Sequence, residues 1–182
     1  MIDGALTFLV DELTDYLRAS YSTTEAKAVL SAHSSLDASP AAEILNKVIV
    51  TLVKLEPEST LRNVSADGMS TVSEFLRSNP AIKLNLLVLF AANFTDYTES
   101  LDFMTAVLTF FQGRNVFTPQ NSPRLAPTFE RLVLELVSTS CQDWRFLWGM
   151  LGAHHTLGAV YRLRMITAQE STPAIQAVPI NR

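Results

Sequence analysis

Two stretches constrain the fold of this chain more than any other: KVIVTLVKLE at 47–56 and AIKLNLLVLFAANF at 81–94. Both are dense in Val, Ile and Leu, and apolar residues occupy both alternation faces. A strand buried on one face alternates apolar with polar, so runs of this kind predict strands covered on both sides. The fold must therefore supply something to pack on each face of a sheet. Pro57 ends the first run and Asn79-Pro80 opens the second. The polar stretch between them carries Asp67-Gly68 and reads as a long hairpin connection, which makes the two strands antiparallel neighbours.

Helical periodicity supplies the covering layers. Over residues 2–19, Ile2, Leu6, Leu9, Leu13, Tyr16 and Leu17 recur at three- and four-residue steps, with Asp3, Asp11, Glu12 and Asp15 on the other side. Three of these acids lie late in the helix, where the macrodipole does not favour them; they read as a solvated face, with a basic partner as the alternative. Residues 95–112 are helical again, with Thr95 as N-cap and Gly113 just past the end. This helix has two apolar stripes: Leu101, Met104, Leu108 and Phe111, and beside them Phe103, Val107 and Phe110. So wide a face exceeds what one sheet covers. Phe103, Val107 and Phe110 are therefore candidates for a subunit contact, with a purely internal core as the equal alternative.

The C-terminal half repeats the pattern. Residues 128–138 alternate as a strand, with Leu132, Leu134 and Leu136 on one side and Arg131, Val133 and Glu135 on the other. Ser140 caps a helix over 141–151, which Gly152 ends. Residues 157–167 form the last strand. Tyr161, Leu163 and Met165 face one way; Arg162 and Arg164 face the other. The plainer reading of these arginines is a cross-strand pair with Glu135. The functional reading is a grip on acidic groups of a partner.

Residues 21–46 are rich in Ser, Ala and Thr and read as a variable excursion with one short helix near 24–32. Residues 169–182 are aperiodic and read as a flexible tail, leaving a single domain over 1–168. The order helix, strand, strand, helix, strand, helix, strand specifies an α+β fold, its mixed, mostly antiparallel sheet flanked by helices.

Composition narrows function by exclusion. Hydrophobic residues are 48% and charged residues 18%, and the formal net charge is −4. The chain can build a core, and it lacks the basic field that nucleic-acid binding needs. A surface so poor in charge is expected to hide part of itself in an oligomer. With one cysteine, Cys141, neither an internal disulfide nor a multi-cysteine zinc site is possible. Met1-Ile2-Asp3-Gly4 has no basic region of a secretory signal. The run 84–94, interrupted by Asn85 and Asn93, is shorter than the ~20 residues of a membrane span. The expectation is a cytoplasmic protein without direct membrane insertion.

No catalytic pattern emerges. There is no glycine-rich phosphate loop and no G-x-S-x-G elbow. The spacing of Cys141 to His154 and His155 matches no thiol enzyme. Adjacent histidines on extended backbone point apart, so they do not share a metal. Trp144 and Trp148, one helical turn apart, read as core, with an interface anchor as the alternative. No catalytic residue, cofactor or metal is expected.

Several segments in order carry a resemblance: MIDGALTFLVDELTDYL, KVIVTLVKLEPESTLRN, IKLNLLVLFAANFTDYTESLDFMTAVLTFFQ, the TPQNSP turn, and LVLELVSTSCQDWRFLWGMLGAHHTLGAVYRLRMIT. Together they resemble the cap, or tail-terminator, family of contractile injection systems of the antifeeding-prophage and phage-tail-like type. The resemblance covers residues 1–167 except the excursion at 21–46. It implies a non-enzymatic structural protein with a mixed sheet flanked by helices. It further implies a homohexameric ring that sits on the last layer of inner-tube and sheath subunits and stops their polymerisation. On that view Arg62, Asn63, Phe103, Val107, Phe110, Arg162 and Arg164 are candidate subunit, tube or sheath contacts. The competing readings are a small ligand-binding or enzymatic α+β domain with a pocket near Trp144, Trp148 and His154, and a cytoplasmic scaffold unrelated to particles.

Overall fold

Both apolar runs are strands, and they pair. The computed structural model describes residues 1–32, 41–57, 84–152 and 155–167. Its elements in order are α1 (Ile2–Tyr21), β1 (Ala28–Leu30), α2 (Ala41–Ile44), β2 (Lys47–Pro57), β3 (Leu84–Asn93), α3 (Tyr97–Gly113), β4 (Val116–Phe117), β5 (Phe129–Leu136), α4 (Cys141–Leu151) and β6 (Gly158–Thr167). The strands form one six-stranded sheet in the order β1-β2-β3-β6-β5-β4. β1 runs parallel to β2, and every other neighbouring pair is antiparallel. This is the α+β architecture with a mixed, mostly antiparallel sheet that the element order predicts.

Register explains why the central strands are apolar on both faces. Val50 stands opposite Phe90, and Val88 opposite Tyr161. Leu86, Val88, Phe90 and Ala92 of β3, with Tyr161, Leu163 and Met165 of β6 and Leu132 and Leu134 of β5, point toward α1 and α3. Leu89, Ala91 and Val160 point the opposite way, toward Leu147 and Trp148 of α4. Gly158 begins β6 where the chains crowd: a Cβ there would lie 2.8 Å from the Phe90 carbonyl oxygen and 3.2 Å from Leu89 Cδ1.

Several local expectations are corrected. The excursion holds strand β1 within 24–32, where a short helix was expected. The Lys27 carbonyl accepts from the Val48 N–H and the Val50 carbonyl from the Ser31 N–H, so pairing with β2 overrides the helix preference of Ala and Lys. The N-cap of α3 is Asp96, whose carboxylate accepts from the Thr98 N–H at 2.8 Å. Thr95 instead donates its N–H to Asn46 Oδ1 at 3.0 Å. Gly113 is the last helical residue, and Arg114 follows as the C-cap, its N–H donating to the Phe110 carbonyl. Leu136 does not join Leu132 and Leu134 inside; it lies 59% exposed at the end of β5. β4 was not expected, since two residues are too few for a periodic signal. The expected tail at 169–182 lies outside the described residues.

Helix α4 forms as predicted. Ser140 Oγ accepts from the Asp143 N–H while the Asp143 carboxylate accepts from the Ser140 N–H, a reciprocal capping box. Gly152 closes the helix in left-handed geometry at φ 62°.

Candidate assembly surfaces

Phe103, Val107 and Phe110 are placed in the intramolecular core, each under 9% exposed. Phe103 stacks between Tyr21, with centroids 4.4 Å apart, and Phe94, at 4.3 Å. Phe110 packs against Tyr16 and Phe111, both at 4.9 Å. The helix is wide because α1 covers one flank of it and the sheet the other. Its outward side instead carries Tyr97, Leu101 and Leu108, all exposed. Arg62, Asn63 and His154 lie outside the described residues.

The acids of α1 are not one solvated face. Glu12 is buried, and each of its carboxylate oxygens meets a different arginine: Oε2 lies 2.7 Å from Arg114 Nη1, and Oε1 2.6 Å from Arg124 Nη2. Arg124 also reaches Asp15 Oδ2 at 2.8 Å, and these bonds hold its guanidinium above its ordinary pKa. Arg114 donates further to the Asn121 carbonyl and Ser122 Oγ and lies over the Phe117 ring. Asn121 folds the segment on itself, its Oδ1 accepting from the Thr118 N–H and its amide donating to the Val116 carbonyl. The turn-rich connection after α3 is thus pinned to α1 through the carboxylates of Glu12 and Asp15. The sequence signal was weak, because Glu12 and its arginines are more than 100 residues apart.

On the opposite face of the sheet, Arg164 Nη2 donates to Glu135 Oε2 at 3.0 Å, and both side chains are 41% exposed. In register, however, Glu135 stands opposite Arg162, so the ion pair is diagonal. Arg131 occupies the same face and is exposed. Lys54 and Glu56 pair there at 2.8 Å.

α4 buries Leu147 and Trp148 and turns Phe146 and Met150 outward, at 62% and 73% exposed. Trp144 and Trp148 meet edge to face, and Trp144 Nε1 donates to His155 Nε2 at 3.1 Å. The indoles therefore fasten α4 to the segment that leads into the last strand. A depression on α4 is lined by Cys141, Gln142, Arg145 and Phe146, away from both tryptophans. Burial pushes the Tyr161 hydroxyl up to about 12. Tyr21, whose hydroxyl donates to the Asp102 carbonyl, is raised by burial and then by the Asp102 charge. Among the described residues no group of three or more His, Cys, Asp or Glu is placed to hold a metal ion. No described helix is long and apolar enough to cross a membrane.

The mixed sheet thus lies between α1 and α3 on one face and α4 on the other, with exposed apolar and charged side chains on both outer sides. The family model of the Pvc16 N-terminal domain matches residues 5–182, and the chain belongs to that family. Among curated proteins none matches the chain. Similar solved structures include two terminators. One is the sheath/tube terminator, in the extended state, of the extracellular contractile injection system PVC. It is 14% identical at a TM-score of 0.49 over 95% of this chain and 60% of its own. The other is the anti-feeding prophage cap, a tube terminating cap, 11% identical at 0.49 over 92% of this chain and 58% of its own. The chain thus spans about three fifths of the length of each.

Proposed function

We propose that this chain is a structural terminator subunit of a contractile, phage-tail-like injection particle. It assembles with copies of itself into a ring, six in number, on the last layer of inner-tube and sheath subunits. The observation that carries this reading is the family match, which spans residues 5–182. The two similar structures are named as a sheath/tube terminator and a tube terminating cap. The mechanism is geometric and non-enzymatic: a closed ring satisfies the layer beneath it and offers no matching surface for another. Assembly takes place in the cytoplasm, and the finished particle is released or anchored. Arg62, Asn63, Arg162 and Arg164 remain candidate contacts, and the outward side of α3 takes the place that Phe103, Val107 and Phe110 leave open.

The test is deletion of the chain in a cell that builds the particle, followed by electron microscopy. Tubes and sheaths that are absent, uncapped or of irregular length are expected. Particles of normal, uniform length would overturn the reading. A ligand site at Trp144 and Trp148 gains no support, since Trp148 is core and Trp144 is bonded to His155.

A further inference from the structure

The two outer sides of the molecule differ in charge. α1 and α3 together hold six acids against the single base Arg18. Glu12 and Asp15 are engaged by Arg114 and Arg124. Asp3, Asp11, Glu99 and Asp102 are exposed, and none forms an ion pair among the described residues. Leu101 and Leu108 lie exposed among them on α3. Across the sheet the balance reverses. Arg131 and Arg162 on the sheet face and Arg145 on α4 form no ion pair among the described residues; exposed Phe146 stands beside Arg145, and exposed Met150 lies one turn further along α4. Each side therefore offers apolar side chains beside a net excess of one sign, and the two excesses are opposite: Arg18 and Arg124 offset the first only in part, and Asp143, Glu56 and Glu135 the second.

We infer that the acidic α1/α3 side of one copy docks on the arginine-bearing α4/β6 side of the next. The occupant of each side is a second copy of this chain, and the argument is charge complementarity around apolar anchors. Two different patches on one chain make a head-to-tail contact, the kind that closes into a ring when its rotation permits. Two like sides would repel, so a face-to-face dimer is disfavoured. The inference rests on the ring reading and specifies the contact within it.

Charge reversal tests it on the full chain. One variant carries Arg131→Glu with Arg145→Glu, and the other Asp11→Lys with Asp102→Lys; all four positions are exposed, and circular dichroism melts confirm folding. Light scattering is run at low salt, about 50 mM, where screening is weak. Wild type should self-associate, and each variant alone should associate at least about tenfold more weakly. An equimolar mixture should recover assembly, because each variant then offers the other an opposite charge on both sides. A mixture that stays monomeric, or either variant associating like wild type, overturns the inference while leaving the ring intact. A monomeric wild type overturns the ring and this contact together. Variants that self-associate normally but no longer bind tube or sheath subunits would assign these sides to those partners and overturn the self-contact. If the arginine variant does not fold, the acid-side variant alone decides by its association relative to wild type.

Discussion

On one face of the sheet, α1 and α3 enclose an aromatic core in which Phe90, Phe111 and Tyr161 meet at 5.0–5.5 Å and Phe110 touches Phe111 and Phe117. On the other, α4 buries a small cluster of Leu89, Ala91, Leu147, Trp148 and Val160, and the rest of that face carries ion pairs. The same strands build both, so the difference comes from what covers them. The first face holds the chain together, and loss of one ring there leaves a void. The second is a partial cover with polar sheet beside it; outside the small cluster around Leu147 and Trp148, single changes cost little and surface chemistry is free to vary. A residue's worth to stability is thus set by which face it points to, even for neighbours in sequence.

Changes on the two faces should therefore separate by size. Phe90→Ala removes the ring at the centre of the first face and should cost about 3–5 kcal/mol, read by denaturant unfolding. A cost no larger than that of the Trp144 change below would break the comparison. Glu12→Ala leaves half-buried Arg114 without its carboxylate and should cost about 1–3 kcal/mol. Hydrogen exchange should rise in 115–128 and stay unchanged in β2. Trp144→Phe on the second face keeps the packing but removes the bond to His155 and should cost about 0.5–1.5 kcal/mol in thermal melts. Arg162→Ala with Arg164→Ala should cost no more than about 1 kcal/mol, since the Glu135 pair is exposed; with normal capping, that pair is a cross-strand contact and nothing more.

Alkali probes the first face without a cavity. Tyr161 ionises near 12 when folded and near 10.0 when unfolded. The unfolded chain therefore loses this proton first, and stability should decline as pH rises from about 10 to about 12. Tyr161→Phe should flatten that part of the profile, and an unchanged slope would assign the loss to other groups.

Much of this contrast is legible in the sequence, for physical reasons. The runs at 47–56 and 81–94 are apolar on both alternation faces because helices lie on both sides of the sheet, and they reveal the antiparallel β2–β3 pair directly. α4 is bounded by Ser140 and Gly152, two residues whose side-chain and backbone chemistry is local. What fails is what depends on distant partners. Ala28–Leu30 becomes a strand because β2 is there to pair with, and Glu12 is buried because Arg114 and Arg124 arrive from the far half of the chain. The width of α3 is correctly read as needing a second cover, but periodicity does not distinguish α1 from another subunit. The outward pair Leu101 and Leu108 belongs to the predicted stripes, and only packing shows which members of a stripe face solvent.

The sheet's margins bear on solubility. Its outer strands are β1, three residues long, and β4, two residues long. Where β2 continues past β1 it is interrupted by a bulge between Leu52 and Lys54, and Lys54 is placed there. Short rims, a bulge and a lysine are the devices by which proteins discourage strand-to-strand accretion. Were the chain to halt the growth of a tube as proposed, the same devices would keep it from seeding a fibre of its own. Replacing Lys54 with valine should accordingly raise turbidity on storage while leaving the melting temperature nearly unchanged.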